Sequence, residues 1–195
     1  MDELSPEAVA AVLRGRLGRP YRWEPTCAST QRLLDGEPEG AVAATDFQTE
    51  GRGRLGRRWE APRGSSLMFS VVLAPDAPPE RLAELTPLAG AAVADAIAAA
   101  TGLATTMKEP NDVLVDGRKV AGILGEAADG RVVLGIGVNV GQRAAELPDR
   151  PVFPATSLAL EGAEVGRGEL LAEILARLEE RYDAWRTALR LPATS

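Results

Sequence analysis

Residues 112–138 read DVLVDGRKVAGILGEAADGRVVLGIGV. Asp116-Gly117 and Asp129-Gly130 each break a run of Val, Ile and Leu, and Asp-Gly supplies the left-handed backbone that a two-residue hairpin turn demands. The spacing predicts a three-stranded antiparallel meander over 112–138, with Lys119 carried on a rigid strand. In the last strand Gly135 and Gly137 stand among apolar neighbours, and a strand glycine marks a bulge or the close approach of a ligand or another backbone.

On the N-terminal side, Ser5 and Pro6 have the form of an N-cap followed by a first-turn proline. Val9, Val12, Leu13 and Leu17 recur at helical spacing, which predicts a helix over 6–17. Ser29 is expected to cap a short helix and leave hydroxyls and amides at its positively polarised start. Residues 41–46 suit a buried strand, 67–73 (LMFSVVL) form a β-rich run, and 75–80 (PDAPPE) make a proline-marked loop. Thr86-Pro87 then opens an alanine-rich helix that stops at Gly102. Beyond the meander, a proline-rich loop over 148–154 leads to an amphipathic helix with Leu170, Leu171, Ile174, Leu175, Leu178, Tyr182, Trp185 and Leu189 on its apolar stripe. These elements describe an α+β domain: a mixed, mainly antiparallel sheet with helices packed on one face and ligand loops at its edge.

The chain has 195 residues, 45% of them hydrophobic, which is enough for one core of ordinary size. The single cysteine, Cys27, forbids an internal disulfide, and the lack of histidine removes zinc sites and His-dependent triads from consideration. A formal net charge of −6, with no basic stripe outside 52–58, speaks against generic nucleic-acid binding, which needs many phosphate contacts. No continuous run of 18 apolar residues and no basic-then-apolar leader is present, so a soluble, cytoplasmic protein without a membrane partner is expected. Carboxylates, Lys and Arg are left to carry the chemistry.

Against that acidic background, 51–59 read GRGRLGRRW. Guanidinium forks match carboxylate or phosphate oxygens two at a time, and the interleaved glycines let a backbone come close. A loop this polar is expected to gain its order from the anion it binds. Of the 22 basic residues only Lys108 and Lys119 are lysine, so a compact ammonium is retained at those positions in an arginine-rich chain. Residues 51–56 also satisfy G-x-G-x-x-G, with Asp76 near the distance of a ribose-binding acid. A dinucleotide turn must open a helix, whereas 57–64 lead into a β-run, and the match is accidental.

Six ordered blocks together resemble the catalytic domain of the biotin–protein ligases, in the layout of the monofunctional bacterial forms. They are Ser29-Thr30-Gln31; Gln48 with the arginine–glycine loop to Trp59; Pro110-Asn111-Asp112; 117–124 with Glu126; Gly135 to Asn139; and 155–158. The resemblance implies a class II aminoacyl-tRNA synthetase-like fold. It implies activation of biotin with ATP and Mg²⁺ to biotinyl-5′-AMP, then transfer to one lysine of a biotin carboxyl carrier protein or domain of an acyl-CoA or pyruvate carboxylase. Arg52, Arg54, Lys119 and Asp112 would be catalytic. Ser29, Thr30, Gln31, Gln48 and Gly53 would hold biotin together with Arg52, Arg54 and Lys119. Arg54, Arg57, Trp59, Asn111 and Asn139 would face ATP and the adenylate, with Asp112 on the metal.

Where the family has Trp, this chain has Glu109, a carboxylate expected to loosen packing and repel phosphates. One catalytic domain over 1–195 is expected, without the family's small C-terminal β-domain or an N-terminal helix-turn-helix, working as a monomer or homodimer without DNA. Two other readings share the architecture: a lipoate or octanoate ligase or transferase, and a degenerate homologue that binds biotin without transferring it.

Overall fold

A computed structural model describes residues 3–148 and 154–190. Seven strands form one sheet: β1 (Tyr21–Glu24), β2 (Val42–Thr45), β3 (Ser66–Leu73), β4 (Thr105–Lys108), β5 (Asp112–Val115), β6 (Arg118–Ala128) and β7 (Arg131–Asn139). Their order across the sheet is β1-β2-β3-β7-β6-β5-β4. The pair β1–β2 is parallel and every other neighbouring pair antiparallel, so the sheet is mixed and mainly antiparallel. The predicted meander is β5–β6–β7. At its turns Asp116 and Asp129 take φ of 47° and 50°, followed by Gly117 and Gly130 at 72° and 73°, the left-handed pairs that Asp-Gly favours.

Helices α1 (Pro6–Val12), α2 (Leu85–Thr101) and α3 (Arg167–Arg190) cover one face. Strand alternation decides which face that is. Leu67, Phe69, Val71 and Leu73 of β3 share a core with Val93 and Ile97 of α2 and with Leu171 and Leu178 of α3, whereas Met68, Ser70 and Val72 face away. Each fully buried Leu or Ile contributes about 1.5–3 kcal/mol. Alanine suits α2 because the helix is pressed between the sheet and α3: a Cβ on Gly90 would stand 2.3 Å from the Met107 sulfur. By length and composition Pro79–Thr101 is apolar enough to cross a membrane; here half of its most apolar stretch is buried inside the fold.

Two elements depart from the sequence expectation. Ser5 does cap α1, its hydroxyl accepting from the Ala8 N–H at 3.3 Å, but Leu13 is already extended and the helix stops well short of residue 17. The cause lies in α3, where the Glu179 carboxylate accepts from the backbone N–H groups of Arg16 and Leu17 at 2.8 and 2.9 Å. Amides captured in this way cannot serve a helical ladder. The segment after the proline loop is a 3₁₀ turn (Pro79–Glu84) that runs directly into α2, one residue ahead of Thr86-Pro87. At its far end α2 stops at Gly102, with φ 73°, as expected. The proline-rich loop expected over 148–154 lies largely outside the described residues.

Candidate functional site

The helix-free face of the sheet is paved with glycine at its centre. Gly122 of β6 lies opposite Gly137 of β7, and Gly135 lies opposite Leu124. A Cβ on Gly137 would meet the Trp59 ring at 2.5 Å, and one on Gly122 would meet the same ring at 3.1 Å. At Gly135 the obstacle is the Gln31 side chain, 3.2 Å away. The strand glycines are close-approach sites, and what approaches them is side chain.

Lys119 reaches this face because of a bulge. The β5–β6 register shifts so that Val113 pairs with Ala121 and Leu114 with Lys119, leaving Val120 extra. Val120 and Ala121 both bury in the helix-side core, while Lys119 and Gly122 line the open face. In a regular strand Lys119 would share its face with Ala121. Directly opposite Gly122 is Asp112, whose carboxylate accepts from the Lys119 ammonium at 2.5 Å and from the Asn111 amide at 3.1 Å. Asn111 Oδ1 in turn accepts from the Arg54 guanidinium at 2.7 Å. Arg54, Asn111, Asp112 and Lys119 thus form one chain of hydrogen bonds across the cleft. Lys119 and Asp112 are only 15% and 24% exposed, so water screens their pairing less than it would on the surface.

A neutral polar cluster faces this charged one. Gln48 Oε1 accepts from the Thr30 N–H at 2.9 Å, and the Thr30 and Ser70 hydroxyls share a 2.7 Å hydrogen bond. Residues 27–31 are brought beside 47–50 because the parallel β1–β2 pairing continues past the strand ends as a Cys27–Gln48 bridge. Ser29 is buried here and caps nothing: the expected short helix is a three-residue 3₁₀ turn (Arg32–Leu34) that follows Gln31 without a side-chain cap. So short a turn sums too few peptide dipoles to attract an anion. Ser70 was missed by the sequence reading. Its signal was there, a lone hydroxyl inside LMFSVVL.

The arginine–glycine loop crosses this face as a hairpin. The Gly53 N–H donates to Arg57 O at 2.7 Å, the Trp59 N–H donates to Gly51 O at 3.1 Å, and Arg52 bridges Arg58. Gly51 is required at the root, since a Cβ there would stand 2.2 Å from Trp59 O. At the tip Leu55 takes a left-handed φ of 58° and is 88% exposed. The loop thus carries a hairpin ladder of its own. No α-helix follows the G-x-G-x-x-G match: its last three residues form a 3₁₀ turn (Arg54–Gly56), and the next element is β3.

Together these parts line one open cleft on the bare face of the sheet, a narrow space of about 70 Å³ with the Trp59 ring and the Lys119 side chain in its lining. All the site residues named from the sequence line it except Asn139. Asn139 is buried with both ends of its amide held, donating to Thr156 O at 2.9 Å and accepting from Gln142 at 3.0 Å. It lines a neighbouring cavity of about 370 Å³ that shares Arg57, Arg58, Trp59 and Lys119 with the cleft. Glu109 is exposed and joined to Pro110 by a cis peptide bond. Among the described residues no three His, Cys, Asp or Glu side chains cluster as a metal cage.

Fold and site define a domain with a cleft on the bare face of a mixed sheet, lined by neutral polar side chains at one end and by paired charged ones at the other. Residues 17–142 match the model of the biotin/lipoate A/B protein ligase family. The chain is 37% identical over 182 residues to the bifunctional ligase/repressor BirA of Bacillus spizizenii, covering 88% of this chain and 56% of that protein. It is 42% identical over 156 residues to the biotin–[acetyl-CoA-carboxylase] ligase of Mycobacterium tuberculosis, covering 77% of this chain and 57% of that protein. The chain thus spans a little over half the length of these curated relatives. Among solved structures, the biotin protein ligase from Aquifex aeolicus in complex with biotin and ATP superposes with a TM-score of 0.76 at 34% identity, over 86% of this chain and 72% of that one. The chain belongs to the biotin/lipoate A/B protein ligase family, as a biotin–protein ligase catalytic domain of the class II aminoacyl-tRNA synthetase-like fold.

Proposed function

We propose that the chain activates biotin with ATP to biotinyl-5′-AMP and passes the biotinyl group to one lysine of a biotin carboxyl carrier protein or domain of an acyl-CoA or pyruvate carboxylase. The observation that carries this reading is the facing of two clusters across one cleft. Thr30 and Gln48, with Ser70 buried behind Thr30, form a neutral polar end, and Lys119, Asp112, Asn111 and Arg54 form a charged one. The names of the relatives support the substrates, since the Aquifex aeolicus ligase is described with biotin and ATP.

Fixed, uncharged donors and acceptors suit the ureido ring of biotin, so the ring lies among Ser29, Thr30, Gln31 and Gln48, with Ser70 holding the Thr30 hydroxyl from behind and the carboxylate towards Lys119. The nucleotide occupies the neighbouring cavity by Asn139, Arg57 and Trp59, and Lys119, which lines both spaces, stands where carboxylate and α-phosphate meet. In the first step a carboxylate oxygen attacks the α-phosphorus, the bond to the bridging oxygen of the β-phosphate breaks, and pyrophosphate leaves. Two anions must be brought together, so Lys119 exchanges Asp112 for the reacting oxygens and Arg54 exchanges Asn111 for phosphate. Replacing one charge-assisted hydrogen bond by another keeps the cost of that exchange small. In the second step the acceptor lysine amine attacks the acyl carbon, AMP departs, and Asp112, released by Lys119, orients the amine and takes its proton.

A lone carboxylate beside an amide fits Mg²⁺ held mainly by phosphates, the usual manner for that ion, with Asp112 as its protein ligand. Such an ion would add positive charge to the phosphates. The same reading makes the chain a cytoplasmic catalytic unit, monomer or homodimer, with no role for DNA. The test is biotin-dependent exchange of pyrophosphate into ATP by this chain. Exchange with biotin and none with octanoate or lipoate is expected. Exchange with octanoate alone overturns the substrate, and biotin binding without exchange reduces the chain to a binding homologue.

A further inference from the structure

The geometry points to Glu126 as a positioning residue that clasps the root of the arginine–glycine loop through Arg52. Gly122, Leu124 and Glu126 follow one another along the open face of β6. The loop rests on both ends of that row: the Trp59 ring lies against Gly122, and the Arg52 guanidinium is ion-paired with Glu126. The two anchor points are four residues apart, or about 13 Å along the strand. Arg52 and Glu126 share a groove on the outer side of the loop, and Glu126 does not line the ligand cleft. The Arg54–Asn111 contact at the other end of the loop lies inside the cleft, where an incoming anion takes its place. Arg52 lines the cleft as well as this groove, but its carboxylate partner stands outside the ligand's space, so the pair holds the root of the loop down while Arg54 and Lys119 do most of the neutralising. This division of labour rests on the proposed function for its consequence, retention of a reactive adenylate, but the clasp itself is a property of the chain.

Trypsin reads the clasp directly, because its targets Arg57 and Arg58 lie in the loop, beyond Arg52. Arg52 and Glu126 are 39% and 46% exposed, so the pair is a surface pair of modest strength. Glu126→Gln is expected to speed cleavage after Arg57 and Arg58 about two- to fivefold with an unchanged melting temperature. Arg52→Gln should do the same, the double variant no more than either single one, and Glu126→Asp should recover part of the protection. Raising the salt should bring the wild type up to the rate of the variants and leave the variants where they are. Equal cleavage of wild type and Glu126→Gln, or additive effects in the double variant, overturns the clasp. Addition of biotin separates the two readings: clasp-dependent cleavage that biotin fails to slow counts against the substrate and leaves the clasp standing.

Discussion

At the scale of single residues, the charged half of the cleft depends on one inserted residue and one missing side chain. Val120 turns Lys119 out of the core, and Gly122 leaves room for its ammonium, which would otherwise stand 3.0 Å from a Cβ. Lys119→Arg keeps the charge but brings a broad planar fork into a space fitted to a point donor. Pyrophosphate exchange is expected to fall at least about tenfold, or roughly 1.4 kcal/mol of barrier, with biotin affinity changed much less. Gly137→Ala probes the other side of the tract. An ordinary strand gains β propensity from that change, but here the new methyl lies 2.5 Å from Trp59 and must push the ring off the sheet. Weaker ligand binding by calorimetry with little loss of melting temperature is the expected result. Arg54→Gly removes the partner of Asn111 Oδ1 and should raise the rate at which adenylate escapes, read as labelling of unrelated lysines.

At the scale of elements, what holds the site in place is the seating of α3. Arg167, at its first turn, is 12% exposed and donates to the Asp46 carboxylate, itself 8% exposed, at 2.6 Å. Asp46 also accepts through its backbone oxygen from the Gly64 N–H at 3.0 Å, which places the pair at the point where the arginine–glycine segment returns to the sheet. Asp46→Ala removes the shortest charge-assisted hydrogen bond of a guanidinium that keeps the Glu3 carboxylate at 3.7 Å and Ser66 O at 3.5 Å, and should cost about 1.5–3 kcal/mol in urea unfolding. Long elements were legible in the sequence because their signals are dense: paired Asp-Gly turns for the meander, a stripe of Leu and Ile for α3. β1 and β4 were not, since four residues at a sheet edge carry no useful periodicity and owe their conformation to β2 and β5. The C-terminal part of the expected first helix was lost to Glu179, a residue 162 positions away from Leu17 whose reach no local spacing reveals. Site residues were legible as types in order. What stayed hidden was the bulge that aims Lys119, Ser70, and the fact that Gly135 and Gly137 make room for Gln31 and Trp59.

For the whole molecule, ion pairs around α3 tie stability to pH. The Arg16 guanidinium holds the Asp183 carboxyl below its ordinary range, and Arg81, helped by the Trp185 indole N–H, does the same to Glu84. A carboxyl lowered on folding contributes stability that is complete above its unfolded pKa of about 4 and lost as pH falls through the folded value. Melting temperature should therefore decline below about pH 4, and Asp183→Asn should flatten that decline slightly, because the group is half exposed. On the alkaline side, burial and the Glu39 carboxylate push the Tyr182 phenol well above its usual range. Its share of stability is intact below about pH 10 and drains away as pH climbs towards the folded value.

The indole resting on glycine gives the chain a built-in optical probe. Trp59 is one of three tryptophans, and its ring nitrogen is buried without a partner while the Lys119 ammonium lies 5.9 Å from the ring centre. Any event that lifts the hairpin, or draws that ammonium away to an anion, changes both the wetting and the field felt by this one chromophore. With Trp23 and Trp185 replaced by Phe, the colour and intensity of the remaining emission follow the loop in real time, without a label and before any product has formed.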